Sequence, residues 1–174
     1  EVFEEKNAAS CNMLIARTVM AIIKYAPDHK IIYVGIAWNS ASTVKLLGRP
    51  IDNNCIFTFH FYEPIVFTHQ NAYWVPGIEQ VGEVFYPDTM EMYKKKSSFF
   101  EVKQGLNVMR SRLDGDMGPE FMASLIQEAM DAAKEHDVKL YCGEFGVIDQ
   151  APIEDTLSWL KDVVGLFKQT NLGY

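Results

Sequence analysis

Glu144 is the single carboxylate in an apolar run, Val138-Lys139-Leu140-Tyr141-Cys142-Gly143-Glu144-Phe145-Gly146-Val147-Ile148. In a strand, Leu140, Cys142 and Glu144 share one side and Tyr141, Gly143 and Phe145 the other. Glu144 therefore ends an apolar row. If that row faces a core, loss of solvent raises the pKa of the carboxyl unless hydrogen bonds or cations oppose it. Two readings are open for such a group, a catalytic acid or a carboxylate that caps a neighbouring helix. Ile56, Thr58, His60 and Tyr62 also share a parity, so an imidazole and a phenol project to one side at the end of a second strand. Trp38 and Asn39 close a third. A metal site built from His60, Glu63 and His69 is a rival, but alternation turns Glu63 away from His60 and no two histidines share a helix at ligand spacing.

Helices and strands alternate along the chain that carries these groups. Apolar residues at three- and four-residue spacing (Ala8, Cys11, Leu14, Ile15, Val19, Ile22, Ile23) predict one helix from about Phe3 to Tyr25, stopped by Pro27. Lys30 to Ile36 reads as a fully buried strand, because Ile31-Ile32-Tyr33-Val34 is continuous and mostly β-branched. A short helix over Thr43 to Leu47, closed by Gly48 and Pro50, precedes a buried strand over Cys55 to Phe61. Residues 63–117 show no long periodic stretch, yet they carry many aromatics, which marks a functional loop insertion. Pro119 opens a helix with Phe121, Leu125, Ala129 and Ala132 inward. The strand of Glu144 follows. Pro152 then starts a last helix with Ile153, Leu157, Leu160, Val164 and Phe167 at helical spacing, and Asn171 to Tyr174 could begin another strand. Strand and helix in alternation imply a parallel α/β sheet with polar residues gathered at the carboxyl ends of its strands. No Gly-rich phosphate loop follows any strand, which argues against a nucleotide site.

Composition narrows the function further. With 48% hydrophobic and 13% aromatic residues in 174, the chain can bury a core and reads as one domain. Its formal charge of −7 argues against a nucleic-acid partner. The basic run Lys94-Lys95-Lys96, beside Glu91 and Glu101, reads as a solvated face. No stretch approaches a membrane span, and no signal peptide opens the chain, which also lacks an initiating Met. Cys11, Cys55 and Cys142 show no metal spacing and read as buried free thiols.

His60-Phe61-Tyr62-Glu63-Pro64, Phe67-Thr68-His69-Gln70 and Cys142-Gly143-Glu144-Phe145-Gly146, in this order and spacing, resemble the second half of a retaining β-glycanase barrel of glycoside hydrolase family 5. Trp38-Asn39-Ser40 also falls where that family has an Asn-rich strand end, so the resemblance covers nearly the whole chain. It implies a partial TIM (β/α)8 barrel, roughly helix 4 through the start of strand 8. Glu144 then corresponds to the nucleophile. Tyr62 is similar to the tyrosine that hydrogen-bonds that carboxylate, and His60 to the histidine lining the cleavage subsite. The family's acid/base follows an Asn at the end of strand four, in one branch directly before Val. Glu1, followed by Val2, is expected to be that group with its Asn partner cut away; the alternative is a surface glutamate at a truncation edge.

The resemblance also implies an oligosaccharide or polysaccharide substrate and no cofactor. Asn39, His69 and the aromatic faces of Trp74 or Trp38 could contact sugar; packing of loops is the alternative for His69 and both tryptophans. The departures are large. A complete barrel has eight strands and about 250 residues, whereas this chain holds three strands and a stub. The family's first four strands, with a substrate-binding Arg and His, and its strand-eight aromatic platform are absent. The chain is thus expected to be a single fragment, residues 1–174, partnered by the missing N-terminal half and inactive alone, from a secreted or cell-surface parent. A non-catalytic carbohydrate-binding segment is the competing expectation.

Overall fold

The computed structural model describes residues 4–100 and 107–174. A 3₁₀ turn at Glu5–Asn7 leads into helix α1 (Ala8–Tyr25), followed by strand β1 (Ile31–Tyr33), a 3₁₀ stretch at Ala41–Leu46 and strand β2 (Cys55–Phe61). Next come helix α2 (Ile65–Thr68), a 3₁₀ turn at Ile78–Gln80, strand β3 (Asp88–Thr89), helix α3 (Met90–Ser97), helix α4 (Asn107–Arg110) and strand β4 (Asp116–Met117). Helix α5 (Pro119–Glu135), strand β5 (Lys139–Phe145) and helix α6 (Ile153–Gln169) complete the series. The expected alternation is thus present, and segment 63–117 has more regular structure than its pattern announces. In α3, Met90, Tyr93 and Ser97 are buried, and the Thr89 hydroxyl caps the helix by accepting from Met92 N at 3.2 Å.

The three longer strands form one sheet in the order β1-β2-β5. β1 and β2 are parallel, with Ile31 opposite Cys55 and Tyr33 opposite Phe57. β3 and β4 form a separate antiparallel pair. The middle strand β2 is the buried one, with Phe57, Phe59 and Phe61 almost wholly enclosed. β1 departs from the expectation of full burial: Ile32 and the following Val34 are about half exposed, because they share the face opposite to Ile31, which packs with Val19 and Cys55.

The described residues fall into two compact units. The first, the sheet unit, takes in the chain up to His60 with Leu125–Glu144 and Leu172–Tyr174. Part of its core is Val19, Ile31 and Cys55, flanked by Ile15, Ile23 and Tyr33. The inward face of α1 is therefore narrower than predicted, since Leu14 and Ile22 are exposed. Of the cysteines, Cys55 and Cys142 are buried and Cys11 is half-buried; all three are free thiols. Gly173 bridges Tyr141 in parallel fashion, the one trace of the strand expected near the end of the chain.

The second, the loop unit, comprises Phe61–Ser124 and Phe145–Asn171. Its interior is aromatic: the ring of Phe61 stacks on Trp159 at 6.4 Å, and Phe67 lies 5.6 Å from Tyr86. Helix α5, whose first residues belong here, buries Phe121, Leu125, Ala129 and Ala132 as predicted. Helix α6 buries only part of the row picked out by its spacing, with Phe167 fully enclosed. Ile153 and Leu157 are exposed, and Trp159, Val163, Leu166 and Phe167 turn inward. The reason is Trp159, the largest apolar surface on the helix, whose indole N–H also donates to Glu63 O at 2.8 Å. The lysine run is likewise not simply a solvated face. Lys94 donates to Ser111 O at 2.6 Å, and Lys96 donates to the carbonyls of Val81 and Glu83, because these ammonium groups satisfy loop acceptors that have no strand partner.

Candidate functional site

In the sheet unit, three of the predicted residues come together at the ends of β2 and β5. His60 Nδ1 lies 3.3 Å from Glu144 Oε2. The Glu144 side chain is 55% exposed and that of His60 24%, so the carboxylate stands at the mouth of the Leu140-Cys142 row and not inside an apolar core. Gly143 is what allows β5 to run there. A Cβ at this position would meet Thr58 Oγ1 at 2.7 Å, nearer than real Cβ atoms approach, so any side chain would push β5 and Glu144 away from β2.

Asn39 meets the same place through its backbone. Its carbonyl accepts from His60 N at 2.7 Å, which fixes the height of His60 at the strand end. Its side chain is buried, with Oδ1 accepting from Gly35 N at 2.7 Å and Nδ2 without a hydrogen-bond partner. The turn that does this is unusual. Ala37, Trp38 and Asn39 have φ of 49°, 52° and 57°, three consecutive non-glycine residues in the left-handed region. Each such residue costs roughly 1–2 kcal/mol, Asn least. The result holds Trp38 with 43% of its surface exposed and carries Asn39 inward.

In the loop unit, Tyr62 and His69 meet edge to face, with ring centroids 5.1 Å apart. A hydroxyl decides the protonation pattern of the histidine. Thr68 Oγ1 lies 2.5 Å from Tyr62 O and 3.0 Å from His69 Nδ1. A carbonyl only accepts, so the hydroxyl proton goes to Tyr62 O and Nδ1 must donate to Oγ1. Burial depresses the His69 pKa, so the neutral Nδ1–H tautomer is favoured and Nε2 is left as an acceptor. On the same loop Trp74 is 57% exposed and meets the almost fully exposed Tyr73 edge on at 4.9 Å.

Glu63 is the group that sequence reasoning missed. It follows Phe61 into the interior, as alternation requires, and its carboxyl is enclosed. Asn107 Nδ2 donates to Oε1 at 2.5 Å, while Oε2 has no hydrogen-bond partner. Burial pushes the pKa up to about 8, against the smaller opposing pulls of the Asn107 amide and the Ile65 N–H. Burial therefore favours the neutral form of this carboxyl near pH 7, accepting from Asn107 in the loop's interior and far from the role of a metal ligand. Among the described residues no three His, Cys, Asp or Glu side chains gather as a metal ion would require. A signal for Glu63 did exist: a charged residue in the Phe57-Phe59-Phe61 parity. Glu1, the expected acid/base, lies outside the described residues.

The chain matches the family model described as Cellulase (glycosyl hydrolase family 5) over residues 1–174. It is 30% identical over 169 residues to Cellodextrinase A of Ruminococcus flavefaciens, covering 97% of this chain and 43% of that protein. Endoglucanase C of Acetivibrio thermocellus is 28% identical over 173 residues, with 97% and 49% covered. The chain thus spans about half the length of the curated relatives it matches. Among solved structures, Thermotoga maritima Cel5A in complex with mannotriose superposes with a TM-score of 0.73 at 22% identity, over 95% of this chain and 46% of that one. The cellulose synthase subunit Z of Clostridioides difficile gives the same four values. At these identities the shared feature is the fold, a partial (β/α)8 barrel.

Proposed function

The chain belongs to glycosyl hydrolase family 5, and from that premise we propose that its parent protein hydrolyses β-linked glucan with retention of configuration, with Glu144 as nucleophile. The observation that carries the reading is the exposed Glu144 carboxylate at the end of β5, held 3.3 Å from His60 Nδ1 at the end of β2. In the first step a Glu144 oxygen bonds to the anomeric carbon, the glycosidic C–O bond breaks, and an acid gives its proton to the leaving oxygen. Water then attacks the glycosyl-enzyme, losing its proton to the same group, now a base, and freeing Glu144. Glu1 is assigned that acid/base role. His60, donating from Nδ1, orients the Glu144 oxygen that does not attack. Tyr62 is assigned the hydrogen bond to the nucleophile.

His69, with Nε2 as an acceptor, takes a sugar hydroxyl as donor, and Trp74 offers an exposed ring face for a pyranose. Asn39 acts from behind: with its side chain buried, it serves the site through its carbonyl on His60 N, a positioning residue in place of the expected substrate contact. A β-glucan substrate is supported by the endoglucanase and cellodextrinase names of the relatives. Residues 1–174 are proposed to act as one fragment of the catalytic barrel, inactive without the rest.

The test is Glu144→Ala in the full-length protein. Turnover of a soluble β-glucan should fall by about 10⁴-fold or more, the scale of nucleophile removal in hydrolases. Hydrolysis at the wild-type rate, or labelling of a different carboxylate by a 2-fluoro-cellobioside, would overturn the assignment. Reducing-sugar release by residues 1–174 alone would overturn the expected inactivity of the fragment.

A further inference from the structure

A concavity lies within the loop unit, and its walls are held in place by hydrogen bonds from Gln70, Lys96 and Ile148. It is an open groove of about 460 Å³ bounded by Gln70-Asn71, Gly82-Glu83 and Gln150 to Ile153. That volume lies within the range of sites that take small ligands. The first two walls are clamped to each other. The buried Gln70 amide donates to Val84 O at 3.1 Å and accepts from Val84 N at 3.3 Å, a side chain standing in for a strand partner. Lys96 holds the second wall from behind through the carbonyls of Val81 and Glu83. The third wall is tied to the first by Ile148 N donating to Thr68 O at 2.9 Å, and Ala151 N closes the turn on Ile148 O at 3.1 Å. The concavity is preformed.

Its chemistry is specific in kind. Asn71, Glu83 and Gln150 are exposed and place two amides and one carboxylate around it; Pro152 and the 76% exposed Ile153 add an apolar ledge. No lysine or arginine lines it, so an anion is not served, and one carboxylate does not hold a cation. Amides and a carboxylate offer paired donors and acceptors to vicinal hydroxyls, and the ledge takes a C–H face. Within the loop unit Thr68 carries both the backbone tie to Ile148 and the hydroxyl that orients His69.

We propose that this groove is a second carbohydrate site, which holds a neutral β-glucan oligosaccharide or a strand of the polymer while the chain is cut elsewhere. The choice of glucan rests on the hydrolase reading above; the groove itself does not.

The test uses the full-length protein with Glu144→Ala to stop turnover, titrated with cellotetraose by calorimetry. Two equivalents should bind. In the double variant Asn71→Gly/Gln150→Ala, with glycine at position 71 because Asn71 has φ of 59°, the weaker equivalent should lose at least 10-fold in affinity, with the stronger one retained and the melting temperature unchanged. Glu83→Ala, on a different wall, should weaken the same equivalent. A single equivalent in the Glu144→Ala protein, or a weaker equivalent untouched by both sets of substitutions, overturns the groove. Wild-type turnover is read separately: two equivalents without any hydrolysis would reject the hydrolase reading and uphold the groove, and hydrolysis with one equivalent would do the reverse.

Discussion

The sheet unit and the loop unit place their candidate residues by different means. In the first, the backbone does the work: Glu144 and His60 sit where β5 and β2 end, His60 is fixed by the Asn39 carbonyl, and Gly143 keeps the strands close. In the second, backbone pairing is scarce and buried polar side chains replace it. Glu63 meets Asn107, Gln70 spans Val84, Tyr86 OH donates to Asp162 at 2.8 Å, and Thr68 orients His69. A ladder tolerates side-chain change but not a lost glycine, whereas a side-chain network fails one group at a time.

Substitutions at a single atom test that contrast. The largest effect is expected from Gly143→Ala in the full-length protein. Relief of the 2.7 Å approach to Thr58 Oγ1 must move β5, and displacing Glu144, the proposed nucleophile, by about 1 Å costs on the order of 100-fold in kcat, with about 1–3 kcal/mol of stability. Wild-type kcat in this variant would show that the backbone does not set the position of Glu144.

Glu63→Gln comes next and has the opposite sign. The folded carboxyl titrates near 8 and its reference value is 4.5, so its contribution is fullest below pH 4.5 and is lost as pH rises towards 8. The glutamine keeps an acceptor for Asn107 and has no charge to bury. Removing the charge is worth roughly 3 kcal/mol at pH 7, and the amide N–H left unpaired at the Oε2 position takes back about 1. The variant should therefore be more stable by roughly 2 kcal/mol and show a flatter pH dependence of unfolding between pH 5 and 8. Chemical denaturation across that range measures it, and an unchanged slope would remove Glu63 from the network. His69 acts in the other direction: its depressed pKa means that stability declines as pH falls through 6.5.

The smallest effect is expected from Thr68→Val, about 1 kcal/mol from the lost hydroxyl bonds. Its sharper readout is nitrogen NMR of His69. The Nδ1–H form should dominate in the wild type and yield to the Nε2–H form in the variant; an Nε2–H ring in the wild type would contradict the assigned tautomer.

Much of the sheet unit was legible in the sequence. The run ending in His60 is strand β2 and the apolar run ending in Glu144 is strand β5, because ladder geometry converts sequence parity directly into direction. The loop unit was less so. Glu63 and Asn107 are 44 residues apart, and nothing local marks either as the other's partner. On helix α6 the row picked out by spacing met the buried face at Phe167 but not at Ile153 or Leu157, since several apolar faces compete there and the indole bond to Glu63 O favours the one that carries Trp159. Lys94 and Lys96 looked like solvent-facing charge until the carbonyls they serve were in place. The turn at Ala37–Asn39 was invisible for another reason: of its three residues only Asn favours the conformation that all three adopt.

That turn has a consequence in handedness. Three successive residues with φ near +50° trace most of one turn of the mirror-image helix. The preferences of L-residues oppose it, and those of D-residues would favour it. A D-alanine introduced at position 37 by chemical ligation would sit in its own minimum, so a protein assembled from one enantiomer here has a segment better suited to the other.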